Sequence, residues 1–154
     1  LPIFPKYSFG FNIGGSWKNF DLSTLWQGVT GIYRYNWEST SDWQGNRTDR
    51  WLDRWSESNP NGSMPRLGYN FNDTFSSFWL SKADYLRLKN LEVGYTFDQL
   101  AKWGLSKVRV YFAATNLLTL TSLDNYDPEK TSGDSRNDIH PNMKSVSFGV
   151  NINF

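Results

Sequence analysis

Apolar and polar positions alternate with a period of two along much of this chain. In SVSFGVNINF, residues 145–154, Val146, Phe148, Val150, Ile152 and Phe154 are apolar, while Ser145, Ser147, Gly149, Asn151 and Asn153 are small or polar. In YSFGFNIGGSW, residues 7–17, Tyr7, Phe9, Phe11, Ile13, Gly15 and Trp17 oppose Ser8, Gly10, Asn12, Gly14 and Ser16. Such alternation predicts β-strands with one apolar and one polar face.

Three more segments follow the same rule with local faults. After a short Lys18-Asn19 turn, a second strand starts at Phe20 and carries Phe20, Leu22, Thr24 and Trp26 on its apolar face, with Leu25 and Val29 blurring the pattern. A third runs over about 78–97, where Leu91, Val93, Tyr95 and Phe97 alternate but Leu86 and Leu88 have the opposite parity. A bulge near Lys89-Asn90 would reconcile the two halves. A fourth, KVRVYFAATNLLTL, aligns Val108, Val110, Phe112, Ala114, Leu118 and Leu120.

Between strands two and three, residues 33–77 lose the periodicity, and short helical turns are expected there around Arg47 to Trp55. A second long polar loop spans 121–143. The pattern is therefore an all-β antiparallel meander of about five strands whose connections alternate short, long, short, long. All short turns then lie at one end and all long loops at the other, as in outer-membrane barrels with short periplasmic turns and long extracellular loops. A soluble β-sandwich also alternates. Its exposed faces, however, favour Lys, Glu and Arg, whereas the polar faces of the first and last strands are Ser, Asn and Gly.

Composition changes the picture in two ways. Mean hydropathy is that of a soluble chain, but aromatic residues reach 18%, with eight Trp, eight Tyr and eleven Phe, and Tyr7, Trp17, Phe97 and Phe154 fall at strand ends, where membrane girdles form. Sixteen Lys plus Arg against fifteen Asp plus Glu leave a net charge of +1, which gives no footprint for nucleic acid. The absence of cysteine excludes disulfides and thiolate metal sites.

Three stretches resemble a known family. FWLSKADYLRLKNLEVGYTF (78–97), VRVYFAATNLLTLTSLDNYDPE (108–129) and the terminal SVSFGVNINF, in this order and spacing, are similar to the C-terminal end of the SusC/RagA-like TonB-dependent transporters of Bacteroidetes. PKYSFGFNIGGSWKNFDLSTLWQG resembles the same family, and only residues 36–74 fall outside the likeness. The resemblance implies one C-terminal segment, 1–154, of a barrel of about 22 strands. The parent's plug domain is absent from these residues. On that layout Phe154 is expected to be the true end of the polypeptide and the rest of the parent to precede Leu1.

The resemblance also implies a nutrient importer for glycans or peptides in the outer membrane. Its expected partners are the remaining barrel and plug, TonB through the plug, a SusD-like surface lipoprotein over loops 33–77 and 121–143, outer-membrane lipid and the barrel-assembly machinery. Tyr7, Phe9, Phe11, Ile13 and Trp17 would face lipid. Val146, Phe148, Val150, Ile152 and Phe154 would serve as the C-terminal assembly signal.

Other chemistry is sparse. His140 is the single histidine and sits beside Pro141 in a polar loop, so neither a His-rich metal site nor a catalytic triad can be assembled. No enzyme activity and no cofactor are expected. Asp124, Asp127 and Glu129 could offer oxygen ligands to Ca²⁺ without EF-hand spacing; alternatively, Asp127-Pro128 starts a turn. Trp43, Trp51 and Trp55, interleaved with Arg47, Arg50 and Arg54, could contact a sugar, a peptide or the lid, or build the loop's own core. The alternative to the importer is a secreted β-sandwich that binds carbohydrate through this Trp-rich loop. Three Asn-x-Ser/Thr triplets, at Asn46, Asn61 and Asn72, are at the level of chance in an Asn-rich chain.

Overall fold

The computed structural model describes residues 4–35, 48–68, 74–98, 106–123, 126–129 and 140–153. Five long strands form one antiparallel sheet: β1 (Tyr7–Trp17), β2 (Phe20–Thr30), β5 (Tyr85–Phe97), β6 (Lys107–Thr121) and β7 (Ser145–Asn153), side by side in that order. Two short strands, β3 (Tyr33–Tyr35) and β4 (Leu80–Lys82), pair with each other. They continue the β2–β5 ladder beyond a kink. Among the described residues no helix is long and apolar enough to cross a membrane, which says nothing of strands.

The ladder registers sort the side chains as the alternation predicts. Leu22 pairs with Val93, Val93 with Phe112 and Phe112 with Phe148, so one apolar row crosses β2, β5, β6 and β7, with Gly15 of β1 opposite Leu22, and Phe11, Trp26, Leu88 and Leu118 form a second row across β1, β2, β5 and β6. Rings on this face touch across the ladders, Phe20 on Tyr95 at 4.7 Å and Phe112 on Phe148 at 5.3 Å, and along β5, Tyr95 on Phe97 at 4.7 Å. No second sheet covers this face among the described residues, and Phe148 is 81% exposed. A soluble sandwich would bury that face against another layer; the described sheet is instead a single layer, the form that a barrel wall takes.

The parity conflict in the third predicted strand has its expected cause. Trp26 pairs with Leu88 and Leu25 with Asn90, so Lys89 is an extra residue against β2. Leu88 and Leu91 thereby share the apolar face. On the far side β6 carries a further extra residue between Thr115 and Leu118, where Asn116 takes a left-handed φ of 52°.

Two boundaries differ from the sequence reading. The predicted 78–97 strand is broken: Ser77–Trp79 is a 3₁₀ turn and Ala83-Asp84 separates β4 from β5. The predicted 33–77 loop begins with a strand, β3. Both follow from Asp84, whose carboxylate accepts the Gly31 and Ile32 N–H groups at 2.8 and 3.2 Å and the Thr30 hydroxyl at 3.0 Å. Those N–H groups leave the β2–β5 ladder, and Gly31 turns through φ 75°.

Beyond the kink lie two small cores. Ile32, Ala83 and Leu123 pack together with Val29 and Tyr126. Trp51, Met64 and Trp79 pack with Tyr35 and Leu67. The expected helical turn is the 3₁₀ segment Asp49–Asp53, which carries Trp51 into the second core.

Candidate functional site

The polar face is the chemically differentiated one. On its plain part, Arg109 of β6 reaches across β5 to Asp21 of β2, with Nε 3.0 Å from Asp21 Oδ1, and also donates to Glu92 at 2.7 Å. Gly94 makes this crossing possible. It is the ladder partner of Asp21, and a Cβ there would meet the Arg109 guanidinium at 2.5 Å and Asp21 at 2.6 Å. The three charges bind three strands together on one face.

Nearer the kink, Arg87 is 3% exposed and fully engaged. Its Nε donates to Thr119 at 2.9 Å, and its two Nη groups bind Asp127 and Glu129. Lys89 also pairs with Glu129. Asp127 additionally accepts the N–H groups of Glu129 at 3.0 Å and Asn142 at 2.7 Å. The 126–129 turn is thus folded back onto β5 and latched there. Burial pushes the Asp127 carboxyl up, but Arg87 and the two N–H groups more than offset this and hold it below its ordinary value.

Asp127-Pro128 therefore does form a turn. Its carboxylate and that of Glu129 are engaged by Arg87 and Lys89, and Asp124 lies outside the described residues. Among the described residues no cluster of three or more His, Cys, Asp or Glu side chains could hold a metal ion.

The Trp-rich segment divides in two. Trp51 is 3% exposed and packs 6.5 Å from Trp79, inside the loop's own core. Trp55 is 37% exposed, with the Arg66 guanidinium 5.9 Å from its ring, and borders an open groove with Arg54, Glu57 and Leu67. Arg54 also donates to the Trp51 carbonyl at 3.4 Å. A knot fixes this wall: Asp53 accepts the Asn59 amide and the Ser63 N–H, each at 3.0 Å, and the Trp55 N–H meets the Met64 carbonyl at 2.7 Å. Trp43 and Arg47 lie outside the described residues.

Comparison with known proteins matches this arrangement to one group. No protein-family model matches the chain. The structure superposes on the RagAB peptide importer in its open-open state with a TM-score of 0.75 over 99% of this chain, at 29% identity. A second structure, of the RagAB peptide transporter, gives a TM-score of 0.76 over 97% of this chain, at 31% identity. TonB-dependent receptor P3 of Formosa agariphila is 30% identical over 97% of this chain, and the TonB-dependent receptor SusC of Bacteroides thetaiotaomicron is 27% identical over 90%. The chain belongs to the SusC/RagA-type TonB-dependent receptors. Receptors of this type are outer-membrane β-barrels, and the relatives are receptors and transporters rather than enzymes. The chain spans 16% of the length of receptor P3 and 17% of the RagAB chains.

Within this receptor segment, several functional-looking groups escape a sequence reading. Arg87 and Arg109 carry a signal in hindsight, since each interrupts an apolar alternation on the polar-facing parity. Their partners do not, because Asp127 is 40 residues from Arg87 and Asp21 is 88 from Arg109. Arg34 carries no pattern at all. It sits in a three-residue strand, is 8% exposed, and has a solvent-shielded Nε without a hydrogen-bond partner.

Proposed function

We propose that this segment forms wall and extracellular rim of an outer-membrane importer that takes up peptides or glycans with energy passed through TonB. The observation that carries the reading is the division of one sheet into an uncovered apolar face and an ion-paired polar face, on a backbone that superposes on the RagAB importer over 97–99% of this chain. In this reading Tyr7, Phe9, Phe11, Ile13 and Trp17 face lipid, and the polar face lines the lumen. The segment is the C-terminal part of the barrel, its long loops 33–77 and 121–143 are extracellular, and the plug belongs to the remainder of the receptor.

A surface lipoprotein of the SusD type is the proposed lid. The Trp55 groove, with Arg54, is its candidate contact or that of the ligand, and Trp51 supports the groove from beneath. Val146, Phe148, Val150, Ile152 and Phe154 present a pattern that the barrel-assembly machinery could read. A direct test compares cells with and without the full-length receptor for uptake of labelled oligopeptides and oligosaccharides, before and after collapse of the proton gradient. Receptor-dependent, gradient-dependent uptake is expected. Equal uptake without the receptor would refute the importer.

A further inference from the structure

The polar face near the kink carries two buried arginines in opposite states. Arg87 shares its charge between Asp127 and Glu129. Arg34 meets no carboxylate among the described residues, and its Nε is an orphaned donor. Its direction follows from strand alternation. In β3, Tyr35 turns to the Trp51–Met64–Trp79 core and stacks on Phe75 at 4.7 Å. Arg34, its neighbour, therefore projects to the opposite side. There its electrostatic neighbour is Tyr85, which pairs with Val29 on the polar face and has the Arg87 guanidinium 5.7 Å from its ring.

A buried guanidinium without a counter-charge is costly, and an apolar side chain of similar length would fill the same place at less cost. The charge needs a reason outside the described residues. Arg87 and Lys89 are satisfied by the latched turn and Arg109 by Asp21 and Glu92. Lys107 shares this face but lies at the other end of β6, so near the kink an incoming anionic group is left with Arg34. A carboxylate suits it best, because the planar fork of Nε and Nη accepts two carboxylate oxygens side by side.

We propose that Arg34 is a binding residue for a carboxylate of the imported oligopeptide. The inference rests on the importer reading above and takes the peptide class from the likeness to the RagAB importer. It is tested on the full-length receptor by titration calorimetry with three probes. The first is an acetylated, amidated alanine-rich peptide carrying two glutamates. The second is its counterpart with glutamines, and the third is an oligogalacturonate.

The wild-type receptor should bind the glutamate peptide at least about tenfold more tightly than its glutamine counterpart. In Arg34→Gln the two peptides should bind alike, and Arg34→Lys should keep part of the difference, having the charge without the fork. Arg34→Met guards against misfolding. It should melt no lower than wild type and should also abolish the discrimination.

An unchanged ratio in Arg34→Gln and Arg34→Met, or an equal loss for both peptides, would overturn the proposal and leave the importer reading intact. Arg34-dependent binding of the oligogalacturonate alone would overturn the peptide assignment. Binding of none of the three probes to the wild type would count against the importer reading itself, and the inference would fall with it.

Discussion

Arg87 shows how one residue joins the wall to a loop far away in the chain. Its side chain is 4% exposed and that of its partner Asp127 6%, so the pair is desolvated and poorly screened. Breaking such a pair from one side costs about 3–5 kcal/mol, because the surviving charges stay buried. Arg87→Met in the full-length receptor should therefore lower the melting temperature and expose the 126–129 turn to protease. The double replacement Arg87→Met, Asp127→Asn removes the orphaned charge, leaves Glu129 paired with Lys89, and should recover most of the loss. Recovery no better than the single variant would mean the latch is not electrostatic. The same pair sets a pH dependence. Asp127 titrates below its ordinary value in the folded state, so its contribution is present above about pH 3.9 and is lost as pH falls through the depressed folded value. Protease protection of the turn should hold from neutral to mildly acid pH and fail only below that range.

At the scale of elements, the five long strands were legible because alternation is a local signal. Strand β1 runs over the predicted Tyr7–Trp17. Even the bulge was legible, since Leu86 and Leu88 contradict Leu91 and Val93 in parity and one extra residue removes the contradiction. The kink was not, because Asp84 acts on Gly31 and Ile32 across 52 to 53 residues. Strands β3 and β4, of three residues each, are too short to show a period. The candidate site was legible only as composition: the Trp-Arg stretch stood out, while the division between buried Trp51 and exposed Trp55 depends on Met64 and Trp79. The bulge makes a sharp prediction. Deleting Lys89 and Asn90 together sets Leu88 directly beside Leu91 and forces residues 85–88 to exchange faces, which moves Arg87 toward the apolar side and Leu86 and Leu88 to the polar one. An arginine on a barrel's lipid side costs about 2–4 kcal/mol at mid-depth, and the latch is lost as well. The deletion should abolish the heat-modifiable folded band on an unboiled gel, whereas Lys89→Ala, which keeps the bulge, should retain it.

The whole sheet has the dimensions of a membrane wall. An eleven-residue strand is about 37 Å long. Tilted by roughly 45°, it rises about 26 Å, close to the 25 Å apolar band of outer-membrane barrels. Strands β1 and β7 each have a ladder partner on one side only among the described residues. In lipid, an open edge of unpaired N–H and C=O groups is prohibitive, so the segment needs neighbouring strands at both edges, which the remaining barrel would supply. This picture yields an alternating accessibility along β7. Single cysteines with an environment-sensitive label, placed in turn at positions 146 to 152 of the full-length receptor in bilayers, should split by parity. Labels at Val146, Phe148, Val150 and Ile152 should be quenched by lipid-borne quencher, and those at Ser147, Gly149 and Asn151 by an aqueous one. The Gly149 label is the most demanding, because the Tyr111 ring lies over that position. A soluble sandwich would shield the even positions from both quenchers, so a flat or inverted pattern would remove the sheet from the membrane and its polar face from the lumen.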